Sequence, residues 1–178
     1  MMVPEISGAL IDWASNAGMS YSIFESDGAA CFANAGGEYR YYIRESVADS
    51  GWYTVTKASR NDPEWLVFSA SDLAVVEKYF WATFGADIRT VQRLPRVEFP
   101  TESEDVADGF SVKPSGQGES VLVDGAGKPV IRAGGDDITD IFLLVMMSYC
   151  LGASVADLKC SFTDPQGRPI FPIRPVRD

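Results

Sequence analysis

One segment restricts the folds open to this chain more than any other. From about Ile138 to Leu151 the sequence predicts a helix that is apolar on almost every side. Its longest apolar run, Ile141–Leu151, is far shorter than the roughly 20 residues that a membrane-spanning helix needs. Such a helix has to be buried on most sides by the rest of the protein, and its simplest place is between two sheets.

Short strand-like runs separated by turn residues precede this helix and predict antiparallel meanders. In the first half the runs are Met19–Phe24, Ala29–Ala33, Glu38–Arg44, Gly51–Lys57 and Glu64–Phe68. A helix is predicted before them, from Pro4 to Ala17, because apolar residues recur there at helical spacing. A second helix is predicted after them, from about Ala70 to Phe84. Ser69 and Asp72 form its capping pair, and Gly85 ends it.

The second half repeats this order in shortened form. Gly109–Val112 resembles Gly18–Tyr21, and the runs Val121–Val123 and Pro129–Arg132 precede the apolar helix. We therefore predict an α+β protein with antiparallel meander sheets packed against two main helices and an N-terminal helix.

Residues 1–178 are expected to form a single domain, either as one unit or as two related halves, 4–88 and 109–174, joined by an extended connector over 89–108. A hairpin of Leu158–Phe162 and Arg168–Ile173, turning at Asp164–Gly167, is predicted to follow the apolar helix.

Two short motifs have a functional and a simpler interpretation. Asp124–Lys128 resembles the end of a phosphate loop, but the full spacing fails and no helix starts there, so a tight hairpin is favoured. Asp136, Asp137 and Asp140 would suit a cation, yet carboxylates at a helix start also satisfy its free N–H groups. We therefore predict helix capping and no metal ligand.

Composition excludes several classes of activity. The chain contains no histidine, which removes Ser-His-Asp and Cys-His catalysis and the commonest zinc ligand. A formal net charge of −10 disfavours nucleic acid and anionic membranes as partners. We predict no catalytic residue and no cofactor, while carboxylate or lysine chemistry stays open.

The cysteines and the N-terminus indicate the compartment. Cys31, Cys150 and Cys160 are odd in number and form no C-x-x-C motif, which favours buried free thiols. The first residues do not follow the pattern of a secretion signal. We expect a cytoplasmic protein.

The helix over 70–84 carries four aromatic residues close together. At about 100° per residue, Val76, Phe80 and Phe84 fall on one stripe that belongs to the core, with Tyr79 and Trp81 on its two flanks. Glu77 falls inside this wide apolar arc. Either the helix packs on two elements of the fold, or one of its flanks is an interface with another molecule. A pocket that contains a carboxylate would be expected around Glu77.

The loop between the fourth and fifth strand-like runs is the candidate contact surface. Lys57, Arg60, Asn61 and Asp62 give it charge, and a protruding loop on rigid strands is a common binding element. Nearby Tyr41 or Trp52 would add aromatic contact area. The simpler interpretation is an ordinary hairpin loop.

Five further segments carry a pattern of aromatic and turn residues: Gly37–Arg44, Leu73–Arg89, Leu94–Arg96, Gly109–Val112 and Ala156–Gly167. Together they resemble the immunity-factor family typified by the antitoxin of the tuberculosis necrotizing toxin. The resemblance follows the chain in order over most of its length.

This resemblance implies a non-catalytic inhibitor. Members bind a cognate secreted toxin in the cytosol of the producing cell, and in the type case the toxin is an NAD(P) glycohydrolase whose dinucleotide cleft becomes blocked. The partner is then a toxin domain. Two alternatives stay open: a chaperone or interaction domain of a secretion system, and a small-ligand binder or enzyme with a carboxylate in a pocket.

Overall fold

The computed structural model describes residues 3–116, 118–134 and 137–173. Within these ranges the chain forms an antiparallel sheet of eight strands and four α-helices, which confirms the predicted α+β class. The helices are Gly8–Asn16 (α1), Leu73–Val91 (α2), Asp137–Gly152 (α3) and Val155–Thr163 (α4). The strands are Met19–Ile23 (β1), Ala30–Asn34 (β2), Tyr39–Glu45 (β3), Tyr53–Ser59 (β4), Trp65–Ala70 (β5), Phe110–Ser115 (β6), Glu119–Asp124 (β7) and Pro129–Ala133 (β8).

The strands belong to one continuous sheet in the order β1-β2-β3-β4-β5-β8-β7-β6. Two meanders, β1–β5 and β6–β8, join where Ser69 and Ala70 of β5 pair with Arg132 and Ile131 of β8. The expectation that the apolar helix lies between two sheets was wrong. Helix α3 packs on β6, β7 and β8, while α2 and the connector before β6 cover much of the rest of it.

The main hydrophobic cluster lies between this sheet and the helices. Phe80 and Phe84, predicted on the core stripe of α2, stack on each other and on β2. Tyr79 packs on β5, whereas the ring of Trp81 lies 5.6 Å from that of Trp13 in α1. Helix α2 is therefore covered on more than one side, which explains its wide apolar arc.

Helix α2 is longer than predicted, since it continues through Gly85, the residue predicted to end it. A Cβ atom at Gly85 would overlap the ring of Phe162 in α4. The glycine thus serves the close approach of two helices rather than a helix end. Helix α2 continues to Val91, so the connector starts later than residue 89.

The starts of the first two helices also differ from prediction. Asp72 caps α2 by itself, accepting a hydrogen bond from the Val75 N–H at 3.0 Å, while Ser69 belongs to β5. Helix α1 begins at Gly8, one turn after Pro4. A side-chain cap therefore marks the start of α2, whereas Ser7 ahead of α1 forms no side-chain capping hydrogen bond.

The predicted C-terminal hairpin was wrong, since Leu158–Phe162 is part of helix α4. Ser154 caps this helix and accepts a hydrogen bond from the Asp157 N–H at 3.0 Å, a start that the Ser-x-x-Asp spacing signals. The turn at Asp164–Gly167 is confirmed by a backbone hydrogen bond of 2.9 Å. Residues 168–173 then return as irregular chain to a single bridge between Ile173 and Val97.

The smaller predictions from the sequence had different outcomes. The tight turn at Asp124–Lys128 is confirmed, because Asp124 Oδ1 accepts hydrogen bonds from the N–H groups of Ala126 and Lys128. Asp136 lies outside the described residues. Cys31 and Cys150 are buried free thiols, but Cys160 is exposed on α4.

No single helix in the described ranges is both long and apolar enough to cross a membrane; α3 and α4 meet that test only when taken together, and they are bent by 114° at the break between them.

Candidate functional site

A groove opens on the helix side of the sheet between β5, α2 and α3. Its volume is about 790 Å³, and its lining is mainly apolar. Leu66 and Val67 form one wall, Ala82 and Thr83 a second, and Leu143 a third. This size and lining are typical of sites that bind a small molecule or a few side chains.

The mouth of the groove has an apolar rim made of Trp65, Leu66 and Phe142. Trp65 is 45% exposed, Leu66 43% and Phe142 37%, although all three are large apolar residues. Phe99 supports Phe142 from the connector, with ring centroids 6.4 Å apart. Adjacent exposed residues of this kind form a patch rather than isolated surface apolar groups, and such patches mark interaction sites.

Two acidic residues, Asp87 of α2 and Asp140 of α3, line this groove, and Asp87 also lines a smaller cavity of about 270 Å³ that extends toward Arg96. Asp87 is open to solvent on one side, yet the surrounding protein desolvates its carboxyl group and raises its pKa. The Lys57 ammonium partly opposes that rise. Within the described residues the Asp87 carboxylate accepts no hydrogen bond and forms no ion pair.

Lys57, predicted as the last residue of the fourth strand-like run and grouped with the hairpin tip, lies inside β4 and on the helix side of the sheet. Its ammonium group is 5.0 Å from the ring centroids of both Tyr39 and Tyr41. Tyr41 is only 8% exposed, and burial raises its pKa to about 12. Tyr41 therefore supports Lys57 from below and has little surface of its own to offer a partner.

The hairpin tip, Arg60, Asn61 and Asp62, does protrude. Its turn is closed by a hydrogen bond of 2.8 Å from the Asp62 N–H to the Ser59 carbonyl oxygen. All three tip residues are exposed. Arg60 forms one loose ion pair with Glu38 at 3.7 Å, a contact that holds a solvated side chain weakly.

Trp52 is not part of the same surface as the hairpin tip. It precedes β4, whereas the tip follows β4, so about 26 Å of extended strand separates them. The Arg132 guanidinium covers its ring at 4.0 Å and pairs with Asp49 at 2.7 Å. Trp52 belongs to a small cluster at the opposite end of the strand.

Glu77 does not line the groove, the smaller cavity beside Asp87 or the cavity formed by residues 166–173. Its two carboxylate oxygens accept hydrogen bonds from Ser7, from N–H at 2.6 Å and from Oγ at 2.8 Å. Glu77 therefore ties the start of α1 to α2. The carboxylate of α2 that does line the groove is Asp87, ten residues further along the helix, which the sequence did not indicate.

The other face of the sheet carries an ion cluster that the sequence did not indicate. Arg44 of β3 pairs with Asp27 at 2.9 Å and with Glu64 at 2.8 Å, above the ring of Tyr42. The backbone N–H of Ala29 and then Arg44 lower the pKa of Asp27. This cluster fastens the β1–β2 turn to the strands beside it. In the described residues no group of three or more Cys, Asp or Glu side chains is arranged to hold a metal ion.

Comparison with known proteins decides the family. The sequence pattern of a family described as Immunity protein 61 matches residues 13–170, from α1 to beyond α4. The chain belongs to the Immunity protein 61 family. This confirms the resemblance drawn from the sequence, and the matched region includes the hairpin tip and the groove.

Relatives and a solved structure cover this Immunity protein 61 member almost completely. The "Immunity factor for TNT" of Mycobacterium tuberculosis (strain ATCC 25618 / H37Rv) is 32% identical over 172 residues, 94% of this chain and 93% of the relative. The "Immunity factor for TNT homolog" of Mycobacterium bovis (strain BCG / Pasteur 1173P2) gives the same values. The solved structure of Rv3902c from M. tuberculosis superposes with a TM-score of 0.85, at 30% identity and 97% coverage of both chains.

Proposed function

We propose that this Immunity protein 61 member binds a cognate secreted toxin of the NAD(P) glycohydrolase type in the cytoplasm of the producing cell and covers its active-site cleft. It acts by occlusion and catalyses no reaction. The single observation that carries the proposal is the exposed apolar rim beside the protruding hairpin tip. The names of the relatives, immunity factors for a toxin, supply the class of partner.

The proposed contact surface starts at the hairpin tip and continues along the start of β5. Trp65 pairs with Lys57 across the β4–β5 ladder, so the tip and the rim adjoin. Arg60, Asn61 and Asp62 contact the toxin directly, and Lys57 lies behind them with Tyr41 beneath it. Trp52 contributes only if the toxin also reaches the far end of β4. A specific interface covers about 800 Å² of each partner, so the tip and rim together fit better than the tip alone.

Charge supports this choice of partner. A cleft that binds a dinucleotide attracts anions, and this chain has a formal net charge of −10. Electrostatic attraction of that kind speeds association and orients the two proteins before contact. The lack of histidine also leaves the chain without the commonest catalytic base.

A triple variant, Lys57→Ala with Arg60→Ala and Asp62→Ala, tests the tip. We expect the affinity for a cognate toxin domain of the NAD(P) glycohydrolase type to fall at least tenfold in calorimetry, with an unchanged melting temperature. Inhibition of NAD hydrolysis by that domain should weaken in parallel. Lys113→Ala on β6 is a matched control, because it makes the same net charge change at the far edge of the sheet. Failure of the unaltered protein to bind or inhibit the toxin domain would refute the proposed function.

A second candidate function is small-ligand binding, which the groove of about 790 Å³ with Asp87 in its wall favours. It predicts that the purified protein retains a small molecule. Native mass spectrometry tests this, and a mass equal to that of the polypeptide alone counts against it.

A secretion chaperone, the remaining alternative, would bind a non-catalytic segment of its partner and leave NAD hydrolysis unaffected.

A further inference from the structure

We infer that the groove between β5, α2 and α3 receives one loop of the toxin, which places an arginine or lysine side chain against Asp87 and apolar side chains against Trp65 and Phe142. This inference rests on the proposed function and deepens it, because it names the chemistry of the bound segment and a second contact region beyond the hairpin tip.

The apolar side chains of the bound toxin loop are inferred from the apolar rim of the groove. Trp65, Leu66 and Phe142 come from two different elements, β5 and α3, and stay exposed although the core is within reach of both. Tryptophan is enriched among the residues that dominate binding energies, especially where it borders a pocket. An occupant that covers these three side chains gains the free energy of removing their surface from water.

The arginine or lysine of the bound loop is inferred from Asp87, because the position of Asp87 in the fold destabilises its charged carboxylate. The residue lies in the last turns of α2, where the negative end of the helix dipole repels a carboxylate. Desolvation in the groove adds a second cost, seen in the raised pKa of its carboxyl group. Lys57 offsets this only from a distance, because its ammonium is held over Tyr39 and Tyr41. A carboxylate that is unfavourable in the free protein becomes favourable when a partner supplies a cation.

Charge and size then limit the occupant to a loop. Asp140 of α3 also lines the groove, and no basic residue of the described chain does, because Arg89 and Arg96 line only the smaller cavity. A volume of about 790 Å³ holds a few side chains but not a folded element. The hairpin tip, next to Trp65, positions the toxin so that such a loop reaches the groove.

The test compares Asp87→Asn with Asp12→Asn, a matched change of an exposed acid on α1. We expect Asp87→Asn to weaken binding of the cognate toxin domain about tenfold or more, while Asp12→Asn leaves it unchanged. Because the folded-state pKa of Asp87 is raised, its charged form destabilises the free protein at neutral pH, and that cost disappears as the pH falls below the pKa of an unfolded aspartate. Asp87→Asn should therefore raise the melting temperature at pH 7 while it lowers affinity, a combination that a merely structural residue does not produce.

Two further measurements address the apolar rim and the partner. Trp65→Ala should also weaken binding at least tenfold, and toxin should protect Trp65 from acrylamide quenching, with Trp65→Phe reporting the contribution of the other tryptophans. Asp87→Lys should abolish binding, and a lysine or arginine of the toxin changed to glutamate should restore it in a double-mutant cycle.

Wild-type affinity in both Asp87→Asn and Trp65→Ala, with the unaltered protein still inhibiting the toxin, would overturn the groove inference and leave the proposed function standing. The groove inference would also be overturned if Trp65→Ala dissociated a dimer of this chain, or released a bound small molecule, while the affinity for the toxin stayed constant. If the unaltered protein binds no toxin domain, both the proposed function and the inference fail.

Discussion

Arg89 of α2 donates a hydrogen bond from Nη1 to the carbonyl oxygen of Asp164, at 2.7 Å, just beyond the end of α4. The guanidinium is 1% exposed and also donates to the carbonyl oxygens of Ser161 and Phe162 at 3.1 and 3.3 Å, and through Nε to that of Pro95 at 2.7 Å. The buried Arg89 guanidinium thus satisfies free carbonyl groups at the end of α4 and in the connector that follows α2. The negative end of the α4 dipole compensates its positive charge.

Arg89→Met is expected to lower the free energy of unfolding by about 2–4 kcal/mol, because it leaves several buried carbonyl groups without a donor. Urea denaturation measures this. Arg93→Met, at an exposed position just after α2, should change stability by less than about 0.5 kcal/mol. Equal stability of the two variants would show that the Arg89 contacts contribute little.

Gly85→Ala should destabilise the protein by about 1–3 kcal/mol, although alanine is the better helix former, because its methyl group would overlap the Phe162 ring. Gly8→Ala is the control within a helix, since no atom lies within 4 Å of the position of its Cβ. Thermal melts of both variants decide the point, and a Gly85→Ala protein as stable as the wild type would mean that α2 and α4 can separate at no cost.

Asp27→Asn should reduce the loss of stability in acid. The Ala29 N–H and then Arg44 lower the folded-state pKa of Asp27, so its contribution is present above the unfolded pKa and is lost as the pH falls through the folded one. Unfolding midpoints in urea should differ between wild type and variant at pH 7 and converge near pH 2. Arg44→Met removes one of the two causes and should also weaken this pH dependence. Parallel pH profiles for wild type and Asp27→Asn would contradict the assignment.

One thiol per chain should react rapidly with Ellman's reagent in the folded protein, and three in guanidinium. Cys160 is exposed, whereas burial raises the pKa of Cys31 to about 11 and that of Cys150 to about 12. Cys160→Ser should remove the rapid phase. A second fast thiol in the folded state would show that β2 or α3 opens more readily than its packing indicates.

Local signals in the sequence were reliable where neighbouring residues decide the structure. Asp124 hydrogen-bonds to backbone groups two and four residues ahead, so its turn needs nothing from the rest of the chain. The stripe of Phe80 and Phe84 is likewise a property of one helix. The predicted C-terminal hairpin was wrong because Ser154 caps a helix that includes Leu158–Phe162.

The candidate site depended more on tertiary structure. Lys57, Arg60, Asn61 and Asp62 are adjacent in sequence, yet strand β4 turns Lys57 toward α2 and leaves only the tip residues protruding. The groove combines residues from β5, α2 and α3, which no sequence window contains. Glu77 and Asp87 are both carboxylates on α2, and only the packing of α1 assigns the first to Ser7 and leaves the second in the groove.

By itself the sequence determined the α+β class, most strands, the core stripe of α2 and the absence of histidine chemistry, because these follow from periodicity, turn chemistry and composition. The family resemblance came separately, from the likeness of five segments to a known family. The tertiary structure alone decided that two meanders join into one sheet at β5 and β8, that Gly85 brings α2 against α4, and that Trp65, Phe142 and Asp87 surround one groove. These features arise from contacts between residues far apart in the chain, where side-chain shape and burial, rather than local preference, determine which contacts form.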